Sequence, residues 1–175
     1  MAITTLNLRG LNRSDTASSG QVVTATSATA MDFQAAGGGK IGQVVQSSVI
    51  TANQTVTSTS FVDVTSVTVN ITPSATSSKV LILAHIGYQN PSSSRYWNPT
   101  ILRASTNLGD SSEGFGRYYN DTTGNVGTVE LHYLDSPSTT SAVTYKVQAL
   151  VQDASYSTIL NNFNQSYITC MEVLA

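Results

Sequence analysis

The sequence predicts an all-β protein, an antiparallel β-sandwich of jelly-roll type with an extended N-terminal arm. Three observations predict it. From residue 41 onward, eight or nine short strand-like segments follow one another, separated by polar turns. No segment there has a convincing helical period. The first 36 residues, in contrast, are rich in Ser, Thr and Ala and have no sustained hydrophobic period, which predicts an arm without a core of its own.

Two of the first four predicted strands of the body have informative patterns. The strand at 66–72 alternates strictly, with Val67, Val69 and Ile71 on one face, and Pro73 ends it because proline has no backbone N–H for the ladder. The strand at 79–88 is apolar almost throughout, so we expect a central strand that is buried on both faces. These strands comprise residues 41–49, 55–64, 66–72 and 79–88.

The second half of the body contains the clearest alternation in the chain, from Val143 through Tyr145 and Val147 to Val151. The connections 90–98 and 107–125 are rich in Ser, Gly, Asp and Asn and are predicted loops. A jelly roll suits this number of strands, and the last strand ties the C-terminus into a sheet. The remaining predicted strands are 100–105, 128–134, 142–152, 158–160 and 167–174.

Composition limits the classes of partner. Charged residues make up 10% of the chain, the formal net charge is -2 and the isoelectric point is about 5.5, so no basic stripe is present to bind nucleic acid. No apolar run is long enough to span a membrane, and the start lacks the apolar region of a signal peptide. We therefore expect no nucleic-acid or membrane partner. If the protein acts outside the cell that makes it, we expect its release by lysis of that cell rather than by secretion.

Three consecutive glycines, Gly37, Gly38 and Gly39, mark the boundary between the two parts. Because glycine has few steric restraints, this run is predicted to be a hinge. The predicted domains are an anchoring arm with its hinge, 1–39, and the sandwich body, 40–175. The arm is either a disordered tail or a segment that orders on a partner by strand addition or groove docking, and we favour the second. Its candidate anchoring residues are Leu6, Leu8, Leu11, Met31 and Phe33.

Catalytic and metal-binding patterns were sought without success. The glycines before Lys40 do not form a phosphate loop, because Ile41 replaces the required Ser or Thr. His85 and His132 are predicted to be hydrogen-bonded strand residues, since neither has a second ligand at metal spacing. Cys170, the single cysteine, is predicted to be a buried inert thiol. We expect neither enzymatic activity nor a cofactor.

Two weaker possibilities concern the predicted loops. Asp110, Glu113 and Asp121 share one loop and could together bind a hard cation, although their spacing matches no known pattern. Aromatic residues on both loops are candidate contacts for a surface partner or a glycan, because such rings bury area at low entropy cost. The alternative is that these rings cap the sandwich or pack between subunits. They are Tyr96, Trp97, Phe115, Tyr118 and Tyr119.

Four stretches of the body resemble the C-terminal β-sandwich knob of tailed-phage fibre, virion and decoration proteins. They are ITPSATSSKVLI at 71–82, LRA at 102–104, YLDSPSTTSAVTYKVQ at 133–148 and ITCMEV at 168–173. The resemblance implies a virion structural protein that is homotrimeric and not an enzyme. Fibres of this kind have a long shaft before the knob, whereas only a short arm precedes the body here.

The sequence therefore predicts a homotrimeric capsid decoration, or cement, protein of a phage virion. Its arm would bind the major capsid protein or another virion protein, and its body would project outward. The alternative is the receptor-binding knob of a short tail or head fibre, with the aromatic residues contacting a host surface glycan.

Overall fold

The structure, a computed structural model, describes residues 21–25, 31–35, 40–90, 94–161 and 164–175. The chain divides into two units, Met1–Gly39 and Lys40–Ala175. In the first unit, β1 (Gln21–Ala25) pairs antiparallel with β2 (Met31–Ala35). The roles of anchor and hinge stay predictions: Leu6, Leu8, Leu11 and the three hinge glycines lie outside the described residues, and Met31 and Phe33 lie in β2.

The body consists of two antiparallel sheets. One contains β3, β13, β6, β12, β4 and β10, and the other contains β5, β11, β7, β8 and β9. In the described part of the body every regular element is a strand. The strands are β3 (Ile41–Gln46), β4 (Gln54–Val56), β5 (Val62–Ile71), β6 (Lys79–Asn90), β7 (Arg95–Arg103), β8 (Thr106–Asn107), β9 (Tyr118–Asn120), β10 (Asn125–Asp135), β11 (Val143–Val151), β12 (Thr158–Leu160) and β13 (Tyr167–Val173).

The strand pairs are nested as a jelly roll requires. The outermost pair is β3 with β13, followed inward by β5 with β11, β6 with β10 and β7 with β9. The eight strands of these nested pairs are divided between the two sheets. Their order is β3-β13-β6-β10 in one sheet and β5-β11-β7-β9 in the other. The predicted fold class, an antiparallel sandwich of jelly-roll type, is confirmed, and the C-terminal strand lies inside a sheet as expected.

In each strand, every second side chain points into the space between the two sheets. On β11 these are Val143, Tyr145, Val147, Ala149 and Val151, as the alternation predicted. On β6 the buried residues are the even-numbered ones from Val80 to Ile86, and Leu83 is exposed. The prediction that β6 is buried on both faces is therefore wrong, because none of the described residues of the body covers the outer face at Leu83.

Strand β7 starts earlier than predicted. Residues 90–98 are predicted to be a loop, but Trp97 and Asn98 pair with β11 on one side. On the other side, residues 95–97 pair with β9. Pro99 is tolerated in this inner strand because it lies between the part paired with β9 and the part paired with β8. Its carbonyl oxygen accepts a hydrogen bond from the N–H of Phe115 (2.9 Å) instead.

A buried polar triad connects the two sheets at one end of the core. Asp135, at the end of β10, is 5% exposed and accepts two hydrogen bonds from Arg103 Nη1 of β7 (2.9 and 3.0 Å). Tyr145 of β11, which is fully buried, donates its hydroxyl to Asp135 Oδ2 at 2.6 Å. Burial, followed by the hydrogen bond to Asp135, raises the pKa of Tyr145 above its usual range. The triad therefore holds one carboxylate between two strands of the opposite sheet.

A second carboxylate ties the closing strand to the β5–β6 connection. Glu172 of β13 is 2% exposed and accepts hydrogen bonds from the N–H and the hydroxyl of Ser74, both at 2.6 Å. Gln43 Nε2 donates a third bond at 3.2 Å. The two bonds from Ser74 hold the pKa of Glu172 at about 2, below its ordinary 4.5. A side chain on Gly42 would meet this carboxylate, since an added Cβ would lie 2.8 Å from Glu172 Oε2.

Replacing Glu172 by glutamine is expected to lower the free energy of unfolding at pH 7 by roughly 1–3 kcal/mol, because charge-assisted hydrogen bonds become neutral ones. The folded-state pKa is depressed, so the contribution of the carboxylate is complete above pH 4.5 and is lost as the pH falls toward about 2. Urea titrations between pH 7 and pH 2.5 should therefore show the wild type and E172Q converging in acid. A constant difference across this range would contradict the assignment.

Cys170 lies on β13, and its thiol is fully buried in the core between the sheets. Burial raises its pKa to about 12, so the thiolate is not formed at neutral pH. The predicted buried thiol is confirmed.

Candidate functional site

The aromatic residues predicted to lie on two loops are instead arranged around strands β7 and β9. Tyr96 pairs with Tyr119, and Trp97 pairs with Tyr118. Because neighbouring residues of a strand point to opposite faces, the first pair faces outward and the second pair faces the core. The structure thus brings four of the five residues together in two cross-strand pairs. One pair points outward and the other points toward the core.

Trp97 belongs to the core and not to the surface. Its side chain is fully buried, with ring centroids 5.3 Å from Tyr88 and 5.4 Å from Tyr118. Burial is also the main cause that raises the pKa of Tyr118. The candidate glycan contact at Trp97 is therefore wrong in location, because β7 extends through the segment that was predicted as a loop and turns this ring inward.

The outward pair forms a small exposed aromatic patch, which we define as Tyr96, Tyr119 and Arg117. Tyr119 is 58% exposed, and the guanidinium of Arg117 lies 4.6 Å from the centroid of the Tyr96 ring. Both ends of this guanidinium also contact the carboxylate of Glu113. The ion pair lowers the pKa of Glu113 and raises that of Arg117.

The segment between β8 and β9 covers the outer side of β7 and positions Phe115. Gly114 has a φ of 59°, and a Cβ there would lie 2.3 Å from the carbonyl oxygen of Pro99, so only glycine allows this approach. Phe115 then meets the ring of Tyr133 edge-on, with centroids 5.8 Å apart. Phe115 therefore packs between the loop and β10, as the capping alternative proposed.

The acidic residues of this loop do not assemble a cation site. Asp110 Oδ1 accepts hydrogen bonds from Ser112 N, Ser112 Oγ and Glu113 N, each at 2.8 Å, which lowers the pKa of Asp110. The carboxylate of Glu113 contacts Arg117 and accepts from Asn98 Nδ2 (2.9 Å). Over the described residues, no group of three or more potential ligand side chains could hold a metal ion.

The two histidines lie on the outer face of the six-stranded sheet. His85 Nδ1 contacts the carboxylate of Glu130 on β10, and its ring stacks on Tyr167 with centroids 5.0 Å apart. The prediction of a hydrogen-bonded strand residue is confirmed for His85. His132 lies two residues further along β10 and is exposed.

No helix in the described ranges has the length and hydropathy that crossing a bilayer would need.

The two outer faces of the sandwich differ in chemistry. On the five-stranded sheet the outward side chains satisfy one another: Thr144 donates to Asn70 (2.6 Å), and Asp63 contacts both Lys146 (2.8 Å) and Gln148 (2.6 Å). The hydrogen bond from Lys146 is the main cause that lowers the pKa of Asp63. We call this surface the polar face. It has the composition expected of a sheet that is turned toward water.

The opposite surface carries an apolar patch beside the polar side chains of His85, Glu130 and His132. Strand register places Val44, Met171, Leu81 and Leu134 in one line across β3, β13, β6 and β10. Leu83 lies in the adjacent line, and Ile41 pairs with Val173 at the corner. Val44 is 55% exposed, Ile41 and Leu134 are 47% exposed and Leu83 is 36% exposed. We define the apolar face by these residues: Ile41, Val44, Leu81, Leu83, Leu134 and Met171.

Sequence reasoning did not find the apolar face. The signal was present, because residues 79–88 and 167–174 are apolar at both odd and even positions. For residues 79–88 this pattern predicts burial on both faces within one chain. In the structure the odd positions of β6 and β13 point away from the core.

Comparisons with known proteins give weak similarities. No protein-family model matches the chain, and no curated protein matches it. Among solved structures, the VP2 subviral particle of infectious bursal disease virus aligns with 87% of this chain and 41% of its own, at 9% identity and a TM-score of 0.43. The structure of the Gx strain of that virus aligns with 87% of this chain and 41% of its own, at 9% identity and a TM-score of 0.43. The structure of the Gt strain aligns with 87% of this chain and 42% of its own, at 8% identity and a TM-score of 0.39.

The chain spans about two fifths of the length of the viral proteins it aligns with, covering 42% and 41% of the first two. The assignment of the fold rests on the strand pairing and burial within this chain itself.

Proposed function

We propose that this chain is a structural protein of a phage virion, a homotrimeric capsid decoration protein that is anchored by residues 1–39. The observation that carries the proposal is the apolar face on a sandwich whose opposite face is polar, with outward side chains that bond to one another. Such a surface is suited to permanent contact with protein, because large apolar patches on a sheet are covered in the assembled state. The resemblance of four stretches of the body to virion knobs supports the same class of function.

The described chemistry favours a structural role over catalysis. Glu172 and Asp135 are buried and fully engaged in hydrogen bonds that connect strands. Glu113 is held by Arg117, and Cys170 is buried as a neutral thiol. The three carboxylates are held by partners within the sandwich, and the thiol is packed in its core.

The proposed anchor is the arm, and its copies reinforce one another. When one arm of an oligomer binds a shell, the effective concentration of the other arms at neighbouring sites rises, so a weak individual arm suffices. The arm's leucines at positions 6, 8 and 11 would supply the apolar contacts to the major capsid protein or another virion protein.

The anchor is tested by binding to purified particles that lack the protein. The full-length chain is expected to sediment with the particles. The variant L6D/L8D/L11D is expected to remain in the supernatant, because charged side chains oppose burial of the arm. The variant T16D/S18D/S19D adds the same charge to polar positions of the arm and is the matched control. Equal binding of the two variants would contradict anchoring through these leucines.

A second candidate function, the receptor-binding knob of a short fibre, is favoured by the aromatic patch. An exposed tyrosine beside a tyrosine–arginine pair presents ring faces and hydrogen-bond donors, which saccharides bind. For this function, the variant Y96A/Y119A should lose binding to host cells and keep its incorporation into particles. Unchanged binding to host cells would contradict it.

A further inference from the structure

The apolar face is large enough to form the centre of a protein interface. Its residues lie on four adjacent strands, and together they expose on the order of 500 Å² of apolar surface, at the upper end of what monomeric proteins leave uncovered. One partner of a stable complex contributes about 800 Å². A rim of polar side chains surrounds the patch, including Gln46, Lys79, Glu130 and His132, so patch and rim together match one side of a standard interface.

The edge of the same sheet also lacks a cover. Strand β10 pairs with β6 over eleven consecutive positions, from Asn125 to Asp135, and in the described part of the chain β6 is its only partner strand. Natural proteins protect such edges with charged side chains, above all lysine, with proline or with a bulge. The segment NVGTVELHYLD contains no lysine or proline, and its register with β6 has no break. Its two carboxylates, Glu130 and Asp135, contact His85 and Arg103 within the chain.

The edge is continuous with the apolar face. Leu134 belongs to both. Val126, 41% exposed, lies on the same outer side of β10 at the far end of the strand, beyond Thr128, Glu130 and His132. A patch and an open strand edge on one surface are both covered when identical chains associate with closed symmetry. The polar face on the other side of the sandwich offers no comparable surface.

We propose that the apolar face and the outer edge of β10 form the contact between copies of this chain, so that the occupant of the face is a second copy. The inference deepens the proposed function and rests on it, since it assigns the association of copies to one surface. It leaves the polar face and the aromatic patch free for solvent or for other partners.

The contact is tested by sedimentation velocity on the full-length protein over a range of concentrations. The wild type is expected to be an oligomer. The variant V44K/L134K is expected to associate at least tenfold more weakly, because two charges would be buried at the centre of the contact. The variant T68K/T144K adds the same charge to exposed positions of the polar face and should sediment like the wild type.

A second measurement does not depend on disrupting the contact. The variant V44C is expected to form covalent dimers with a short bis-maleimide, whereas T144C should not, and the native Cys170 is buried and unreactive. A monomeric wild type, an oligomeric V44K/L134K, or equal cross-linking of V44C and T144C would overturn the proposal.

Binding of the same variants to particles distinguishes failure of this interface from failure of the proposed function. An oligomeric V44K/L134K that still binds particles would refute this interface and would leave the proposed virion function standing.

Discussion

Replacing Asp135 by alanine is expected to lower the free energy of unfolding by about 3–5 kcal/mol. The carboxylate is the shared acceptor for Arg103 and Tyr145, and its removal leaves a partly buried guanidinium and a fully buried hydroxyl without their acceptor. The loss falls between the two sheets, because Asp135 lies on β10 while its donors lie on β7 and β11. Chemical denaturation of D135A at pH 7 measures it directly.

Two controls separate this triad from an ordinary surface ion pair. Y145F removes one donor and is expected to cost about 1 kcal/mol. K146A breaks the exposed pair with Asp63 and is expected to cost less than about 1 kcal/mol. A D135A variant no less stable than K146A would show that the triad does not hold the sheets together.

Replacing Trp97 by alanine is expected to cost a similar amount, about 3–5 kcal/mol, because a fully buried ring that contacts Tyr88 and Tyr118 leaves a cavity. Tyr119 offers the matched comparison, since it lies on the paired strand and is 58% exposed. Y119A should change the stability by no more than about 0.5 kcal/mol. Thermal and urea unfolding of both variants would check the difference.

This comparison also decides how loss of binding in this region is interpreted. A W97A variant that fails to bind host cells would report a damaged core, whereas Y96A/Y119A would report the surface. If W97A unfolded like the wild type, the ring would not be part of the core and the assignment of β7 would be wrong.

Alternation carried most of the fold prediction. The pattern of β11 is unambiguous, because every second residue from Val143 to Val151 is apolar, and the structure buries these five side chains. Strand β7 is predicted to start only at residue 100, because the polar, Ser-rich composition of residues 90–98 indicates a loop. In the structure the side chains of Asn98 and Thr100 are buried under the segment that follows β8, where Asn98 bonds to Glu113 and Thr100 bonds to Asn107.

The candidate surfaces were harder to predict, because they depend on which strands become neighbours. Val44 and Leu134 are 90 residues apart, yet two intervening strands place them in one line. Asp135 and its donor Arg103 are likewise distant in sequence and adjacent in space. A single sequence shows that β6 and β13 carry apolar residues on both sides, but it does not show what the second side contacts.

The number of copies of this protein in purified virions tests the central claim most directly. Quantitative mass spectrometry, referenced to the major capsid protein of the same particles, would provide it. A decoration protein is expected in amounts comparable with the shell subunit, because each anchoring site repeats with the lattice of the shell. Absence from the particle would contradict a virion role, and a small fraction of the shell count would contradict decoration in favour of a fibre.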